Sequence, residues 1–342
     1  MNTSLLEKID SQGMYKIYDQ WPQIARDSWT SNLKSIHFKK IDHIVFVGMG
    51  GSGALGDLFT AIFSKTKIHV TSIKGYSLPK TIDKNTLVIC ISISGNTDET
   101  NTVLELLNDV DCKKFVISSG GKMEQFCKKY SILFYKVPQI HSPRSSFTSF
   151  LYSLLRILKP ILPLDEIEVE NSIIELEKLQ KQINSTNLNE SNPALTLAKW
   201  IPEIPMIIYP YGFQSSAIRF KNSLQENSKS HVMIKNVIEL CHNGIVSWEQ
   251  KSNILPILIE GKDDHFKTKE RWIILKDFFQ ENNVNFKEIF SIDGNILSKL
   301  ITLIYLLDYS TIYKSVLKKI DPSPVKSIDF VKQRLNKNYS NS

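Results

Sequence analysis

The sequence predicts an α/β protein with two mainly parallel sheets, each flanked by helices on both faces. From Ile41 onward, apolar runs of strand length alternate with amphipathic stretches of helix length, a pattern typical of covered parallel sheets. The alternation starts again after a polar run at residues 184–189, which indicates a second unit of similar architecture. A chain of 342 residues is also long enough for roughly two domains, since one core usually serves on the order of 150 residues.

The composition predicts a globular protein of the cytoplasm. Apolar residues make up 42% of the chain and charged residues 23%, and both values are ordinary. No apolar run approaches the ~20 residues that span a bilayer, and the N-terminus lacks the pattern of a secretory signal. The four cysteines lie far apart without paired spacing, which argues against a zinc site or a disulfide framework. We therefore expect no membrane segment and no bound metal.

The net charge of +7 is distributed along the whole chain. Lysines occur in small groups such as Lys39–Lys40 and Lys318–Lys319 and do not form one stripe. Nucleic-acid binders usually concentrate basic residues on one face and add stacking aromatic residues. We expect solvated surface lysines and no nucleic-acid partner, with weak steering of an anionic small molecule as the alternative.

The first unit begins with one or two short helices over residues 1 to about 35, in which Trp21 and Trp29 are the expected packing anchors. Five strands are predicted at the apolar runs Ile44–Val47, Ile68–Ile73, Leu87–Ile93, Lys114–Ser118 and Ser131–Val137. Helices are predicted between and after these strands, at residues 53–64, 98–109, 121–130 and 145–158.

A charged, helix-prone connection follows over residues 160–192. Beyond it, strands are predicted at Met206–Tyr209, Leu255–Glu260 and Phe286–Ser291, with helices at residues 215–228, 266–282 and 295–318. A proline-flanked break at Asp321–Pro324 precedes a last helix at residues 325–336. The predicted division is residues 1–160 (N-terminal helices and first sheet), 161–192 (helical connection) and 193–342 (second sheet and C-terminal helix).

A glycine-rich turn follows the first predicted strand, Ile44–Val47. The free backbone N–H groups and the dipole of the next helix make such a turn an anion site, and Ser52 adds a hydroxyl there. Gly48, Gly50 and Gly53 also match the G-x-G-x-x-G pattern of dinucleotide sites. However, no acidic residue stands about twenty positions further on to bind the ribose. The turn therefore favours a phosphate over a dinucleotide.

A second polar turn follows the next strongly apolar strand. Ser92, Ser94 and Thr97 place three hydroxyls around Gly95, where the backbone can approach a ligand closely. Helix capping by Thr97 or Asn96 is the simpler interpretation, but it leaves the two serines unexplained. The C-terminal ends of neighbouring parallel strands meet at the crevice where such sheets bind ligands. We therefore expect the two turns to hold one phosphate between neutral donors.

These turns resemble the signatures of sugar isomerase (SIS) domains, which bind phosphosugars. Over nearly the whole chain, the closer resemblance is to the archaeal-type bifunctional phosphoglucose/phosphomannose isomerases. It is carried, in the family's order, by Gly120–Gly121, Ser142–Arg144, Glu226–Lys229, Glu239–Asn243 and Asp321–Val325. The resemblance implies two SIS subdomains, a homodimer, a sugar 6-phosphate substrate and a reaction that needs no metal or cofactor.

The implied reaction is the reversible isomerisation of glucose 6-phosphate, and of mannose 6-phosphate, to fructose 6-phosphate through a cis-enediol. The expected phosphate ligands are Gly51, Ser52, Ser92, Ser94 and Thr97. Moving a proton between C1 and C2 needs one base, and Glu226 matches the family's glutamate for this role. Without the motif, Glu226 would be interpreted as an ordinary exposed helix glutamate.

Three further residues match catalytic positions of the family. Ring opening needs an acid that titrates near neutrality, and His242 matches the histidine that the resemblance places in the partner subunit's active site. Arg144 matches the arginine that stabilises the enediolate, although a surface arginine near a helix N-terminus is the alternative interpretation. Lys332 is the candidate for a C-terminal lysine that approaches the sugar ring.

The sequence departs from the family pattern in three places. Gly244 follows His242–Asn243 where a glutamate is usual, and Gln225 and Ser228 replace the more common Asn and Ala around the base. Ser323 stands where threonine is frequent in the proline-flanked turn. The resemblance implies that acceptance of mannose depends on this region. We therefore expect phosphoglucose activity first and phosphomannose activity second.

Two other classes of protein stay open. A phosphosugar-sensing module would share the phosphate turns but would not need Glu226, His242 and Arg144. No helix-turn-helix-like segment precedes the first unit, which argues against a regulator. An aminosugar-phosphate isomerase is the other alternative, and the lack of an N-terminal nucleophile domain and the C-terminal match argue against it.

Overall fold

The structure is a computed structural model that describes residues 1–339 and contains two separate sheets. The strands of the first sheet are β1 His43–Val47, β2 His69–Ile73, β3 Thr86–Ser92, β4 Lys113–Ser118 and β5 Leu133–Lys136. The strands of the second sheet are β6 Ile204–Tyr209, β7 Met233–Asn236, β8 Ile254–Glu260 and β9 Lys287–Phe290. Their spatial orders are β2-β1-β3-β4-β5 and β7-β6-β8-β9, and neighbouring strands run parallel throughout. The predicted α/β fold class is confirmed.

Helices surround both sheets. The first part of the chain forms α1 Thr3–Ile9, α2 Met14–Asp19, α3 Trp21–Trp29, α4 Gly50–Phe63, α5 Asp98–Leu106, α6 Gly121–Tyr130 and α7 Phe147–Leu158. The rest forms α8 Glu166–Ile183, α9 Pro193–Trp200, α10 Gln214–Ser228, α11 Val237–Leu240, α12 Phe266–Glu281, α13 Ile296–Leu317 and α14 Lys326–Tyr339. The predicted helical connection corresponds to α8, whose first turn is closed by a capping box between Asp165 and Glu168.

The central core lies between the two sheets. In β1, Ile44 and Phe46 face this core, whereas Val45 and Val47 face a separate apolar cluster under α5 and α6. Strands with apolar residues on both faces are expected in a parallel sheet that is covered on both sides. The central core continues to Ile207 of the second sheet, and α4, α10 and α13 pack together within it. The helices that begin at the two sheets therefore meet in the middle of the molecule.

The N-terminal segment contains three helices where the sequence predicted one or two. Trp21 is fully buried, and its ring stacks on Tyr18 at 4.7 Å and on Tyr305 of α13 at 5.2 Å between centroids. Trp29 is also buried. Both tryptophans are confirmed as packing anchors, and they attach this segment to α7, α8 and α13.

Helix α13 is the longest apolar helix of the described chain. Its 22 residues have the length and hydropathy, 1.3 on average, of a membrane span, but 89% of that window is buried inside the molecule. Core helices commonly pass the same test, so this helix is weak evidence for a membrane segment.

Three short elements were not predicted from the sequence: α9, β7 and α11. Strand β7 has only four residues, Met233–Asn236, with Met233 exposed and the other three half-buried at the edge of the sheet. Its sequence contains a lysine and an asparagine, so no apolar run marks it.

Candidate active site

The first glycine-rich turn leads from β1 into α4, as predicted. Helix α4 begins at Gly50, and the N–H groups of Gly51 and Ser52 lie in its first turn, where the helix itself offers them no acceptor. Glycine is required here because a Cβ on Gly48 would lie 3.0 Å from the Ile91 carbonyl oxygen of β3. A Cβ on Gly53 would lie 2.7 Å from the Gly48 carbonyl oxygen. The close packing of the turn thus brings an unsatisfied helix N-terminus next to the end of β3.

The second turn is closed by its own hydroxyls. The Ser92 and Thr97 hydroxyls are 2.8 Å apart, and the Gly95 N–H donates to Ser92 Oγ at 3.1 Å. The Asn96 N–H donates to Ser94 Oγ at 3.3 Å. Thr97 is the N-cap residue of α5, but its side chain makes no capping bond. Helix capping therefore does not explain the Thr97 hydroxyl, and the buried Ser92 hydroxyl serves to hold the turn together.

A third turn, at Gly120–Gly121, locks the second one in place. The Gly120 carbonyl oxygen would lie 1.8 Å from a Cβ on Gly95, whose φ of 70° is itself in the left-handed region. The Asn96 side chain accepts the Lys122 N–H at 3.0 Å, and the Gly95 carbonyl accepts the Met123 N–H at 3.1 Å. The polar turn is therefore rigidly supported from the neighbouring strand β4.

Arg144 and Glu226 form an ion pair, although they are 82 positions apart in the sequence. Arg144 Nη1 donates to Glu226 Oε2 at 2.9 Å. The Arg144 side chain is 6% exposed and that of Glu226 is 26% exposed. The alternative interpretation of Arg144 as a surface arginine is therefore wrong. Glu226 lies in the last turn of α10 and is not an ordinary exposed helix glutamate either, because its carboxylate is held by a buried cation.

The proline-flanked turn near the C-terminus holds the same arginine. Arg144 Nη2 donates to the carbonyl oxygens of Pro322 at 2.6 Å and of Ser323 at 2.8 Å. Lys229 donates to the Pro324 carbonyl at 2.7 Å and to the Glu226 carbonyl. Burial and the nearby Arg144 cation lower the pKa of Lys229. Two segments of the sequence resemblance, Glu226–Lys229 and the proline-flanked turn, thus meet at Arg144.

Serine hydroxyls fix the loop that carries Arg144. Ser145 Oγ donates to the Ile140 carbonyl at 2.8 Å, and Ser146 Oγ donates to the Ser142 carbonyl at 2.8 Å. The Ile140 N–H in turn donates to Ser146 Oγ at 2.8 Å. Both serines are fully buried at the start of α7. The position of the guanidinium is therefore set by a closed network and not by a flexible side chain alone.

A second buried ion pair lies directly behind the first. Arg219 of α10 donates from Nε to Asp308 of α13 at 2.8 Å, and Ser223 donates to the same carboxylate at 2.7 Å. Arg219 Nη2 also donates to the backbone carbonyl of Arg144 at 2.6 Å. Although burial lowers it, Asp308 raises the pKa of Arg219 above its ordinary value. This pair was not predicted from the sequence, although Asp308 is a charged residue inside the long apolar run of α13.

His242 and Lys332 are not brought to this ion pair within one chain. Both side chains are exposed, and within residues 1–339 neither makes a hydrogen bond or ion pair with Arg144 or Glu226. Next to His242, the Asn243 side chain donates to Glu239 at 2.6 Å. The roles of His242 and Lys332 stay predictions.

The turn after β8 of the second sheet is closed by contacts of its own. At the turn after β8, a Cβ on Gly261 would lie 3.2 Å from the ring of Phe213, the residue before α10. Asp264 accepts the Gly261 N–H at 3.1 Å and the Trp272 indole N–H at 3.0 Å. The turn after β8 is therefore held by Asp264 and packed against Phe213. The candidate site combines the two polar turns of the first sheet with α10, which carries Glu226.

The fold and these turns define a protein of the SIS class. A family model described as "SIS domain" matches residues 37–154, and one described as "Bacterial phospho-glucose isomerase C-terminal SIS domain" matches residues 190–335. A solved structure, the tagatose-6-phosphate ketose/aldose isomerase from Escherichia coli, superposes with a TM-score of 0.68 at 15% identity. The superposition covers 92% of this chain and 97% of that one.

Two relatives narrow the class. The chain is 33% identical over 315 residues to a bifunctional phosphoglucose/phosphomannose isomerase from Caldicellulosiruptor bescii, which covers 88% of this chain and 91% of the relative. It is 28% identical over 332 residues to the enzyme of the same name from Aquifex aeolicus, with coverage of 95% and 97%. The chain belongs to the bifunctional phosphoglucose/phosphomannose isomerase family.

Proposed function

We propose that this chain catalyses the reversible isomerisation of glucose 6-phosphate, and of mannose 6-phosphate, to fructose 6-phosphate. The observation that carries the proposal is the part-buried Arg144–Glu226 ion pair, which joins a base and a fixed cation at one point. A module that only binds phosphosugars has no use for this arrangement. The family to which the chain belongs, by its printed name, supports the same reaction.

The two polar turns would hold the 6-phosphate. Gly51 and Ser52 offer free helix N–H groups and a hydroxyl, which favour a phosphate at the N-terminus of α4. Ser94 and Thr97 would donate hydroxyls from the second turn. Ser92 would act indirectly, because its hydroxyl already bonds to Thr97 and to the Gly95 N–H.

Glu226 would move the proton and Arg144 would stabilise the charge. In the open-chain sugar, the carboxylate takes the C2 proton of the aldose, and the electron pair leaves a negative charge on the O1–C1–C2 unit. The Arg144 guanidinium, fixed by two backbone carbonyls, lies next to the carboxylate and would offset that charge. The hydroxyl proton moves from O2 to O1, and Glu226 returns the carbon-bound proton to C1, which gives the ketose with its carbonyl at C2. In the reverse direction, the proton is returned to C2. Its return to one face of C2 would give glucose 6-phosphate, and its return to the other face would give mannose 6-phosphate.

Ring opening would use a residue from a second copy of the chain. His242 is exposed in a single chain and lies in a turn of the second sheet unit, which is consistent with a role at a subunit interface. We place it in the partner's active site in a homodimer, and Lys332 of α14 near the sugar ring. Four free cysteines support a cytoplasmic location, where thiols stay reduced.

A coupled assay tests the proposed reaction. Purified protein is incubated with fructose 6-phosphate, and glucose 6-phosphate and mannose 6-phosphate are followed separately, with and without a chelator. We expect both aldose phosphates to form at rates that the chelator does not change. Binding of fructose 6-phosphate without formation of either product would contradict the proposal and would favour a sensing module.

A further inference from the structure

Arg219 lies next to two parts of the molecule that the proposed reaction needs together, and it is anchored to α13. Its Nη1 would lie 3.1 Å from a Cβ on Gly51, in the first turn of α4. Its Nη2 donates to the backbone carbonyl of Arg144, and its Nε donates to Asp308 of α13. The guanidinium therefore lies between the phosphate turn and the loop of the catalytic arginine.

The charge of Arg219 is already compensated. Asp308 is fully buried and accepts hydrogen bonds from Arg219, Ser223 and the Tyr18 hydroxyl. A buried pair of this kind is often no more stable than apolar residues of similar volume. A role in positioning explains why the planar, forked guanidinium is useful here, since in addition to its ion-pair partner it binds the Arg144 carbonyl and lies beside Gly51.

Arg219 and Glu226 share one face of α10. They are seven residues apart, which is two helical turns, or about 10 Å along the axis. Both contact Arg144: Arg219 binds its backbone carbonyl, and Glu226 binds its guanidinium. Two turns of one rigid helix therefore separate the contact of Arg219 with the α4 turn from the Glu226 carboxylate.

We infer that Arg219 is a positioning residue that holds the phosphate turn and the Arg144–Glu226 pair at the separation that a six-carbon sugar phosphate requires. The inference rests on the proposed function, because that function assigns the phosphate to the turn and the enediolate to the pair. Arg219 would act through Gly51 and Arg144 and would not itself touch the reacting carbons.

The test compares two ligands that are not turned over. Inorganic phosphate can occupy only the phosphate turn. In contrast, 5-phospho-D-arabinonate also places a carboxylate at the Arg144–Glu226 pair, and this carboxylate has the charge and planarity of the enediolate. Dissociation constants of both are measured by calorimetry for the wild type, Arg219→Lys and Arg219→Met/Asp308→Leu. The double variant removes both buried charges together, and Arg219→Lys keeps a cation beside Asp308. Lys221→Met, on the opposite face of α10, is the matched control.

We expect the Arg219 variants to bind inorganic phosphate within about threefold of the wild type and to bind 5-phospho-D-arabinonate about tenfold or more weakly. The control should change neither constant. The inference is overturned if the ratio of the dissociation constants for 5-phospho-D-arabinonate and inorganic phosphate stays within about twofold of the wild-type ratio, whether or not both ligands bind more weakly. Failure of the proposed function would be seen separately, as wild-type protein that does not convert fructose 6-phosphate.

Discussion

The ion pair between Arg144 and Glu226 brings together residues whose separate properties would not define a site. Arg144 is buried and makes three charge-assisted bonds, two of them to backbone carbonyls. These bonds fix the cation before any substrate arrives, and a preorganised charge is what stabilises a developing anion at low cost. The ion pair uses Glu226 Oε2, and the carboxylate keeps 26% of its side-chain surface accessible. The carboxylate that we propose as the base is therefore both held by Arg144 and still accessible to a substrate.

Replacing Arg144 tests the role of this cation. We expect Arg144→Met to lower kcat for fructose 6-phosphate about 100-fold or more, because the enediolate loses its fixed counter-charge. Affinity for inorganic phosphate, which occupies the turns only, should change little. The matched control is Arg156→Met, an arginine later in α7 that contacts neither Glu226 nor the proline-flanked turn. A kcat within about threefold of the wild type for Arg144→Met would exclude the assigned role.

Sequence motifs predicted Arg144 and Glu226 but not the groups that hold them. Arg219, Asp308 and the carbonyls of the proline-flanked turn were missed, because a backbone carbonyl has no sequence signature. A long-range buried ion pair likewise depends on packing that no local pattern encodes. The hydroxyl of Ser92 shows the reverse case: its type and position were noticed, but its bond to Thr97 was visible only in the structure.

At the scale of elements, the polar turn after β3 depends on its fit to the turn after β4. Gly95 and Gly120 leave no room for a side chain between them, since the Gly120 carbonyl oxygen occupies the place of a Cβ on Gly95. The hydroxyls around Gly95 are thus presented by two interlocked turns. Rigid support of this kind reduces the entropy lost when a ligand is bound.

Substituting Gly95 should disrupt this fit. We expect Gly95→Ala to lower the melting temperature and to weaken inorganic phosphate binding about tenfold or more, because both the left-handed φ and the contact with Gly120 are incompatible with a Cβ. Gly75→Ala is the matched control, since a Cβ there would meet no atom within 4 Å. Wild-type affinity for phosphate in Gly95→Ala would show that the turn does not form the phosphate site.

A buried carboxylate in the second sheet makes stability depend on pH. Burial raises the pKa of Glu260 from 4.5 to about 7, with Glu288 adding to the rise and Lys276 opposing it. The folded state therefore holds a proton that the unfolded state has lost between these two values. The contribution of Glu260 to the free energy of unfolding is fully present below about pH 4.5 and is lost as the pH rises through about 7.

Glu260→Gln should remove this dependence. Because glutamine stays neutral, we expect the variant to gain in melting temperature relative to the wild type as the pH is raised from 5 to 8. The measurement is a series of thermal unfolding curves across that range. Glu270→Gln, at an exposed position of helix α12, which follows β8, serves as the control. If the difference in melting temperature between Glu260→Gln and the wild type stays the same from pH 5 to pH 8, the raised pKa of Glu260 is contradicted.

Long apolar strands and capped helices were predictable, and short edge elements were not. The runs at β1, β3 and β8 are almost entirely apolar and buried, so their sequence reports their environment directly. Strand β7 and helix α11 have four residues each, and tertiary packing rather than local pattern decides their conformation. The same limit applies to the split of the N-terminal segment into three helices at Gly13 and Gln20.

At the scale of the whole molecule, α10 joins the two sheets. It begins at β6 of the second sheet and packs on α4 of the first and on α13. Because α10 carries Arg219 and Glu226, the second half of the chain supplies the proposed base, while the first half supplies the turns that we propose bind the phosphate. The division at residues 160 and 193 stays a prediction, and the site that we propose needs both sides of it.

The proposed homodimer predicts complementation. Glu226→Gln and His242→Ala should each be nearly inactive when assayed alone. If His242 acts in the partner's site, a mixed dimer contains one site with both native residues and one with neither. Reassembly of an equal mixture should therefore recover about a quarter of the wild-type activity, since about half of the dimers are mixed. No recovery from a mixture that is shown to form mixed dimers would place His242 elsewhere.

The central claim is that Glu226 moves the proton between the first two carbons of a sugar 6-phosphate. The most direct measurement is the incorporation of deuterium from D2O into fructose 6-phosphate and its aldose products by wild type and Glu226→Gln. We expect the wild type to incorporate deuterium, and the variant to show neither incorporation nor turnover while binding the sugar phosphate within about tenfold of the wild type. Substantial incorporation or turnover by the Glu226→Gln variant would contradict this account.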